Sequence, residues 1–256
     1  MGEGNFHLKI INLLSHWLDS LSKMEEDFIL KVKNLRVILD GEKILNDLSF
    51  EIRRKEFFII LGPNGAGKTT LFKALLGLIP YQGEIIWAKE NMKFGYLPER
   101  LSRSEFKKIP LSVRDFYKFK ESSEEKILKT LKAVGLEGEE ILKKNPGDLS
   151  SGQFQRMLIG WALLGDPEVL FFDEPTTGID IGGEKTIYSL LHKFWQERGL
   201  TILMITHEIN IVYAYATNVL CLYKKGICMG PPRKILTPQL LEKLYGNEVK
   251  FYIHKH

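Results

Sequence analysis

The chain has little of what would place it in several common classes. Of its 256 residues only two are cysteine, Cys221 and Cys228. A disulfide framework needs more, and zinc-type cysteine pairs stand closer together than these. They read as packed, reduced thiols in a cytosolic protein. Long apolar runs are also missing. The longest uncharged stretch, Ile209–Tyr223, has 15 residues and includes Asn210, Thr217 and Asn218, whereas a spanning helix needs about 20 apolar residues. Charge of one sign is not in excess: 36 basic residues against 32 acidic ones leave +4, so no footprint for nucleic acid is visible. There is no internal repeat and no low-complexity tract. Residues 1–23 have no basic start and no small-residue cleavage site, and Glu3 comes early, so they are not a secretory signal. What is present, 44% hydrophobic and 27% charged residues, is globular and allows one large domain or a domain with a subdomain.

Apolar residues from Phe6 to Leu21 recur at helical spacing, which predicts an N-terminal helix within an extension over 1–27. It reads as a docking helix on the domain, as an addition ahead of a start at Met24, or as a helix on a membrane surface. From Phe28 the pattern is strand-like: FILKV, LRVIL, LSFEI and then FFIIL (Phe57–Leu61). TTLFKALLGL is a helix closed by Gly77; EIIW and KFGYL are short strands. Leu111–Lys144 is charged and helical, and Ser122-Ser123 followed by acids makes a good helix start. Asn145-Pro146-Gly147 breaks it. VLFFD, TILMIT and VLCLY then read as strands separated by helices, and VLCLY with ICMG as a closing hairpin around Lys224-Lys225. Such alternation predicts an α/β fold with a mostly parallel sheet covered on both faces, interrupted by a helical insert over Leu111–Leu164.

Three stretches carry chemistry. GPNGAGKTT, from Gly62 through Pro63, Asn64, Gly65, Ala66, Gly67, Lys68 and Thr69 to Thr70, follows a strand and opens a helix. Its glycines let backbone N–H groups turn inward onto phosphates; Lys68 reaches the β- and γ-phosphates, and the Thr69 hydroxyl takes a Mg²⁺ position. VLFFDEP ends a buried strand in two carboxylates. Asp173 fits a Mg²⁺ contact, and Glu174, one residue beyond, is placed to polarise a water toward the γ-phosphate. TILMITHE ends at His207, on the same carboxyl edge of the sheet, where ligands of open α/β folds bind; this makes His207 a γ-phosphate sensor. A second helix start, LSSGQFQR (Leu149–Arg156), also offers small hydroxyl and glycine residues to an anion.

In order and spacing GPNGAGKTT, LSSGQ, VLFFDEP, Asp180 and His207 resemble the ABC-type ATPase subunits, over Phe28–Tyr245. LSSGQ resembles that family's LSGGQ signature. The resemblance implies a RecA-like P-loop core, an N-terminal antiparallel β subdomain and a helical signature subdomain over about 96–165, with a tail over 246–256. It implies ATP and Mg²⁺ as cofactors and two nucleotides sandwiched in a head-to-tail homodimer or a pair with a similar chain. Ser150, Ser151, Gly152 and Gln153 would bind the partner's nucleotide, Arg156 would support that face, and Asp180 would face the partner.

Three positions depart from the family pattern. Glu99, in GYLPER, stands where the family has a glutamine; it can still approach Mg²⁺ but adds negative charge beside the γ-phosphate, so hydrolysis and coupling are expected to change. Leu39 stands where an aromatic ring often stacks on adenine. Ser151 replaces a glycine and requires a negative φ.

Family members without membrane spans drive separate transmembrane permease subunits from the cytoplasmic face of the membrane. GEIIWAKENMKFGYLPER, TTGIDIGGEKTIYSLL and HEINIVYAYATNVLCLYKKGICMG are similar to the subgroup that imports zinc, manganese or iron. Phe106, Leu111, Val113, Phe116, Tyr117 and Phe119 fall where a permease helix docks, and about half of them are expected to be core. His254 and His256 offer imidazoles in the tail. The competing reading is a soluble ABC ATPase acting on ribosomes, DNA repair or cluster assembly; those acting on ribosomes generally carry a second cassette and the repair types a long coiled coil, and this chain has neither.

Overall fold

The computed structural model describes residues 27–99, 101–121, 123–176, 181–223 and 226–246. The expected N-terminal helix, Asp180, the Lys224-Lys225 turn, His254 and His256 lie outside them.

Two sheets organise the described residues. β1 (Phe28–Leu39), β2 (Glu42–Arg53) and β4 (Gln82–Trp87) form an antiparallel sheet in the order β2-β1-β4. β3 (Phe57–Leu61), β5 (Phe94–Leu97), β6 (Val169–Asp173), β7 (Thr201–Ile205), β8 (Asn218–Tyr223) and β9 (Gly226–Gly230) form the second, in the order β5-β6-β7-β3-β8-β9. Its first five strands are parallel and β9 pairs antiparallel with β8. The hairpin sets Cys221 opposite Cys228, both free thiols.

The parallel strands are buried on both faces, which is why FFIIL, VLFFD and TILMI read as unbroken apolar runs. Their side chains still alternate. Phe57, Ile59 and Leu61 enter the core shared with the helical segments, while Phe58 and Ile60 enter the core beneath the antiparallel sheet.

The first helix, α1 (Lys68–Leu75), packs on that second core through Leu71, Phe72 and Leu75. Helices then crowd the insert: α2 (Arg103–Phe106), α3 (Val113–Lys118), α4 (Glu124–Ala133), α5 (Glu139–Lys143) and α6 (Ser151–Leu163). Ser112 and Ser123 cap α3 and α4 with their hydroxyls, and Asn145 caps a 3-10 turn over Pro146–Asp148. Gly95 of β5 lies so close to α6 that a Cβ there would overlap the carbonyl oxygen of Ala162. That contact ties the helical insert to the parallel sheet. α7 (Ile181–Arg198), α8 (Ile209–Tyr215), α9 (Pro232–Ile235) and α10 (Pro238–Tyr245) complete the described residues. No helix among the described residues is long and apolar enough to cross a membrane.

Candidate functional site

Strand order brings the motifs together. β6, β7 and β3 are neighbours, and their registers align Asp173 and Ile60 with Ile205. The loops that leave these strands therefore open on one edge. They enclose a cavity of about 930 Å³ lined by Gly62, Pro63, Asn64, Gly65, Gly67, Lys68, Thr69 and Thr70, with Glu99, Asp173, Glu174 and His207 on the facing side.

Gly65 and Gly67 adopt φ of 77° and 92°, the left-handed region where a side chain is strained, so the loop can wrap inward only with glycine there. Ala66 is buried, and its N–H donates to the Pro63 carbonyl. The Lys68 ammonium folds back on the loop, donating to the carbonyl oxygens of Gly62 at 2.8 Å and Pro63 at 3.1 Å. Burial lowers its pKa, and Glu174, Asp173 and Glu99 oppose that shift.

Asp173 is buried and its pKa is raised to about 6, first by burial and then by Glu99 and Glu174; a hydrogen bond from Thr69 and the charge of Lys68 act the other way. Its Oδ2 is buried without a hydrogen-bond partner. An orphaned carboxylate oxygen beside the Thr69 hydroxyl, with Glu99 on the same cavity wall, suits a hard divalent cation that completes its shell with phosphate oxygens. Tyr96 is pushed up to about 12 by burial, then by the same carboxylates Asp173 and Glu99.

Glu174 has φ of 49°, a conformation that costs a side-chain-bearing residue about 1–3 kcal/mol. Its N–H donates to the Ile205 carbonyl at 3.0 Å, across the end of β7. The turn sends the carboxylate toward His207, whose Nδ1 lies 3.3 Å from Glu174 Oε2. The two side chains thus meet in the folded chain although 33 positions separate them.

The expectation for Leu39 is corrected. It ends β1 opposite Glu42, packs against the core under the antiparallel sheet, and is not among the residues lining the cavity. Ile44 lines the wall in its place, because β2 passes over the P-loop; a Cβ on Gly67 would meet Ile44 Cγ2 at 3.2 Å. Leu244 and Tyr245 of α10 also line the cavity. No sequence signal marked them, since they reach it from the far end of the chain.

LSSGQ does not share this cavity. Ser150 caps α6: its hydroxyl accepts from the Gln153 N–H at 3.2 Å, and Gln153 Oε1 accepts from the Ser150 N–H at 3.1 Å. Ser150, Gly152, Gln153 and Arg156 line a separate cavity of about 410 Å³ with Gly135 and Leu136. Arg156 donates to the Val134 carbonyl at 2.8 Å and so holds this face to α4. Ser151 is absent from that lining; it begins the helix with negative φ, so the extra Cβ strains nothing.

The Asp173 carboxyl gives a stability prediction. Unfolded it titrates near its ordinary 3.8 and folded near 6, so the folded state holds the extra proton between those values. Stability from this group falls as pH rises through that window and its full penalty, about 3 kcal/mol, is present above it. Asp173→Asn is expected to raise Tm of the metal-free protein by about 9 °C at pH 8, with the gain vanishing by pH 4. Calorimetry across pH checks this; a gain independent of pH would assign the effect to something other than charge.

A parallel sheet with a P-loop after a central strand, two carboxylates at the end of a strand two places away and a separate signature helix defines a nucleotide-hydrolysing cassette. The chain matches the ABC transporter family model over residues 45–177, and it belongs to that family, whose ATP-binding cassettes hydrolyse ATP. It is 36% identical over 235 residues to the zinc import ATP-binding protein ZnuC of Wigglesworthia glossinidia brevipalpis, covering 89% of this chain and 98% of that one. It is also 36% identical over 226 residues to a protein of Thermotoga maritima described as a probable metal transport system ATP-binding protein, covering 85% and 90%. Among solved structures, dimeric MJ0796, a bacterial ABC transporter cassette, superposes with a TM-score of 0.66 at 25% identity over 80% of this chain and 99% of that one.

Proposed function

We propose that this chain is the ATP-hydrolysing subunit of a membrane importer for divalent transition-metal ions such as zinc or manganese. One observation carries the coupling: the P-loop and LSSGQ open on two different cavities. A single chain therefore offers each nucleotide half a site, and a second cassette facing it head to tail supplies the other half. Ser150, Gly152 and Gln153 then close on the partner's nucleotide, with Ser151 beside them and Asp180 at the same interface. ATP joins the two chains, and its hydrolysis lets them part.

Within the site Gly62–Thr70 cradle the phosphates, and Lys68 meets the growing charge on the γ-phosphate. Glu174 takes the proton of the attacking water, and His207 contacts the γ-phosphate. Thr69, Asp173 and Glu99 are the residues that would hold Mg²⁺, which supplies charge neutralisation on the phosphate oxygens. Ile44 and Tyr245 give the base apolar walls.

A groove of about 520 Å³ supports the membrane partner. Leu101, Phe106, Phe116, Leu158 and Trp161 line it, and the buried Trp161 Nε1 has no acceptor. Of the aromatic stretch, Phe106 and Phe116 face this groove, whereas Val113 and Tyr117 are fully buried core. An apolar helix from a permease subunit, offering an acceptor to Trp161, fits such a surface on the cytoplasmic face of the membrane. Leu101→Asp is expected to weaken capture of those subunits about tenfold at unchanged Tm; unchanged capture in a pull-down would place docking elsewhere.

The relatives' names are the basis for a metal cargo. Reconstitution with the membrane subunits encoded beside it, followed by ATP-driven uptake of radioactive zinc and manganese into vesicles, tests it. Uptake of neither metal overturns the cargo, and ribosome binding with no membrane association would favour the soluble alternative.

A further inference from the structure

Behind His207 lies a closed ring of polar contacts that the proposed chemistry does not use. The Glu208 N–H donates to Thr206 Oγ1 at 3.1 Å. Thr206 Oγ1 lies 3.4 Å from the Tyr188 hydroxyl, which donates to Glu208 Oε1 at 2.8 Å. With the tyrosine proton given to the carboxylate, the Thr206 hydroxyl donates to Tyr188 and the circle closes on Glu208. Thr176 joins from the other side, 3.0 Å from the Tyr188 hydroxyl and donating to Glu208 Oε1 at 3.4 Å.

We infer that this ring is a positioning device for hydrolysis: Tyr188, Thr206, Glu208 and Thr176 hold the backbone that aims His207. The two residues that flank His207 in sequence, Thr206 and Glu208, are both ring members. The His207 side chain itself is 65% exposed, so its aim is set by the backbone that carries it. Thr176, two residues beyond Glu174, anchors the ring from the side opposite Thr206. The hub is α7, through Tyr188, which is 0% exposed, like its neighbours Thr206 at 2% and Thr176 at 7%. Burial raises the Tyr188 pKa, so the hydroxyl remains a donor. Buried polar networks of this kind specify one geometry when every member is satisfied, and a displacement of about 1 Å in a reacting group can cost a hundredfold in rate.

This inference rests on the reading of His207 as a γ-phosphate contact, and the test separates the two. Tyr188→Phe deletes one hydroxyl and keeps the ring that stacks on Tyr215 at 6.3 Å. Its kcat for ATP hydrolysis is expected to fall about tenfold with KM for ATP unchanged. Glu208→Ala should do the same, and Glu208→Gln, which retains the acceptor, should recover most of the loss. In a His207→Ala background Tyr188→Phe should cost less than twofold further, because both act through one group. Thr206→Val supplies a second break in the ring if Tyr188→Phe lowers Tm. Unchanged kcat in the ring variants, or a tenfold loss that persists in the His207→Ala background, overturns the positioning role. Wild-type kcat in His207→Ala alone overturns the His207 reading instead, and the positioning role with it.

Discussion

Glu174→Gln is expected to leave ATP bound and to lower hydrolysis by about a thousandfold, the scale of losing a general base. The glutamine keeps the size and hydrogen-bonding reach of the side chain but cannot accept the water's proton. Its backbone, at φ 49° and held by the Ile205 carbonyl, is untouched by the change. Nucleotide therefore stays in both half-sites, and the pair of chains does not part. Size-exclusion chromatography should show a dimer with ATP and a monomer without it, while the wild-type chain should dimerise only transiently. Hydrolysis by the variant at the wild-type rate would remove Glu174 from its role as base. A monomer in ATP would instead undo the shared-site reading of LSSGQ.

Lys68→Ala is expected to weaken ATP binding about a hundredfold, from the loss of charge-assisted hydrogen bonds to phosphate at roughly 1.5–3 kcal/mol each. The side chain has two roles here. It bridges the carbonyls of Gly62 and Pro63 and keeps the loop wrapped, and in the proposed function it meets the phosphates. It is also the cation that Glu174, Asp173 and Glu99 surround. Alanine leaves three carboxylates and an anionic ligand with one cation fewer between them. Titration of a fluorescent ATP analogue measures the effect, and a Kd within threefold of wild type would mean that the loop backbone alone binds the phosphates.

The legible part of this protein was the part whose chemistry is local. A P-loop is read by its glycines because the loop needs φ values that other residues resist. The apolar runs before Gly62, Glu174 and Thr206 were legible as buried strands because nothing polar interrupts them. The cap of α6 was legible too, since Ser150 and Gln153 are three residues apart and satisfy each other's backbone N–H. Glu99 was visible for a different reason: it departs from a pattern that the rest of the chain matches. Leu39 misled because strand position near the hairpin does not say which residue passes over Gly67; the crossing of β2 over the loop selects Ile44. Val113 and Tyr117 share their apolar character with Phe106 and Phe116, and only packing divides core from groove.

By itself the sequence determined the family and the local shapes of its motifs, because loop conformation, helix capping and strand burial follow from neighbours along the chain. Tertiary structure alone decided where those residues meet. It placed β6, β7 and β3 side by side, so that Lys68, Asp173, Glu174 and His207 share one edge. It brought Tyr245 of α10 to the wall of the P-loop cavity, closed a ring between Tyr188 and Glu208, and turned LSSGQ away into a cavity of its own. Contacts of that kind depend on strand order and on helix packing over dozens of intervening residues, and no local pattern encodes them.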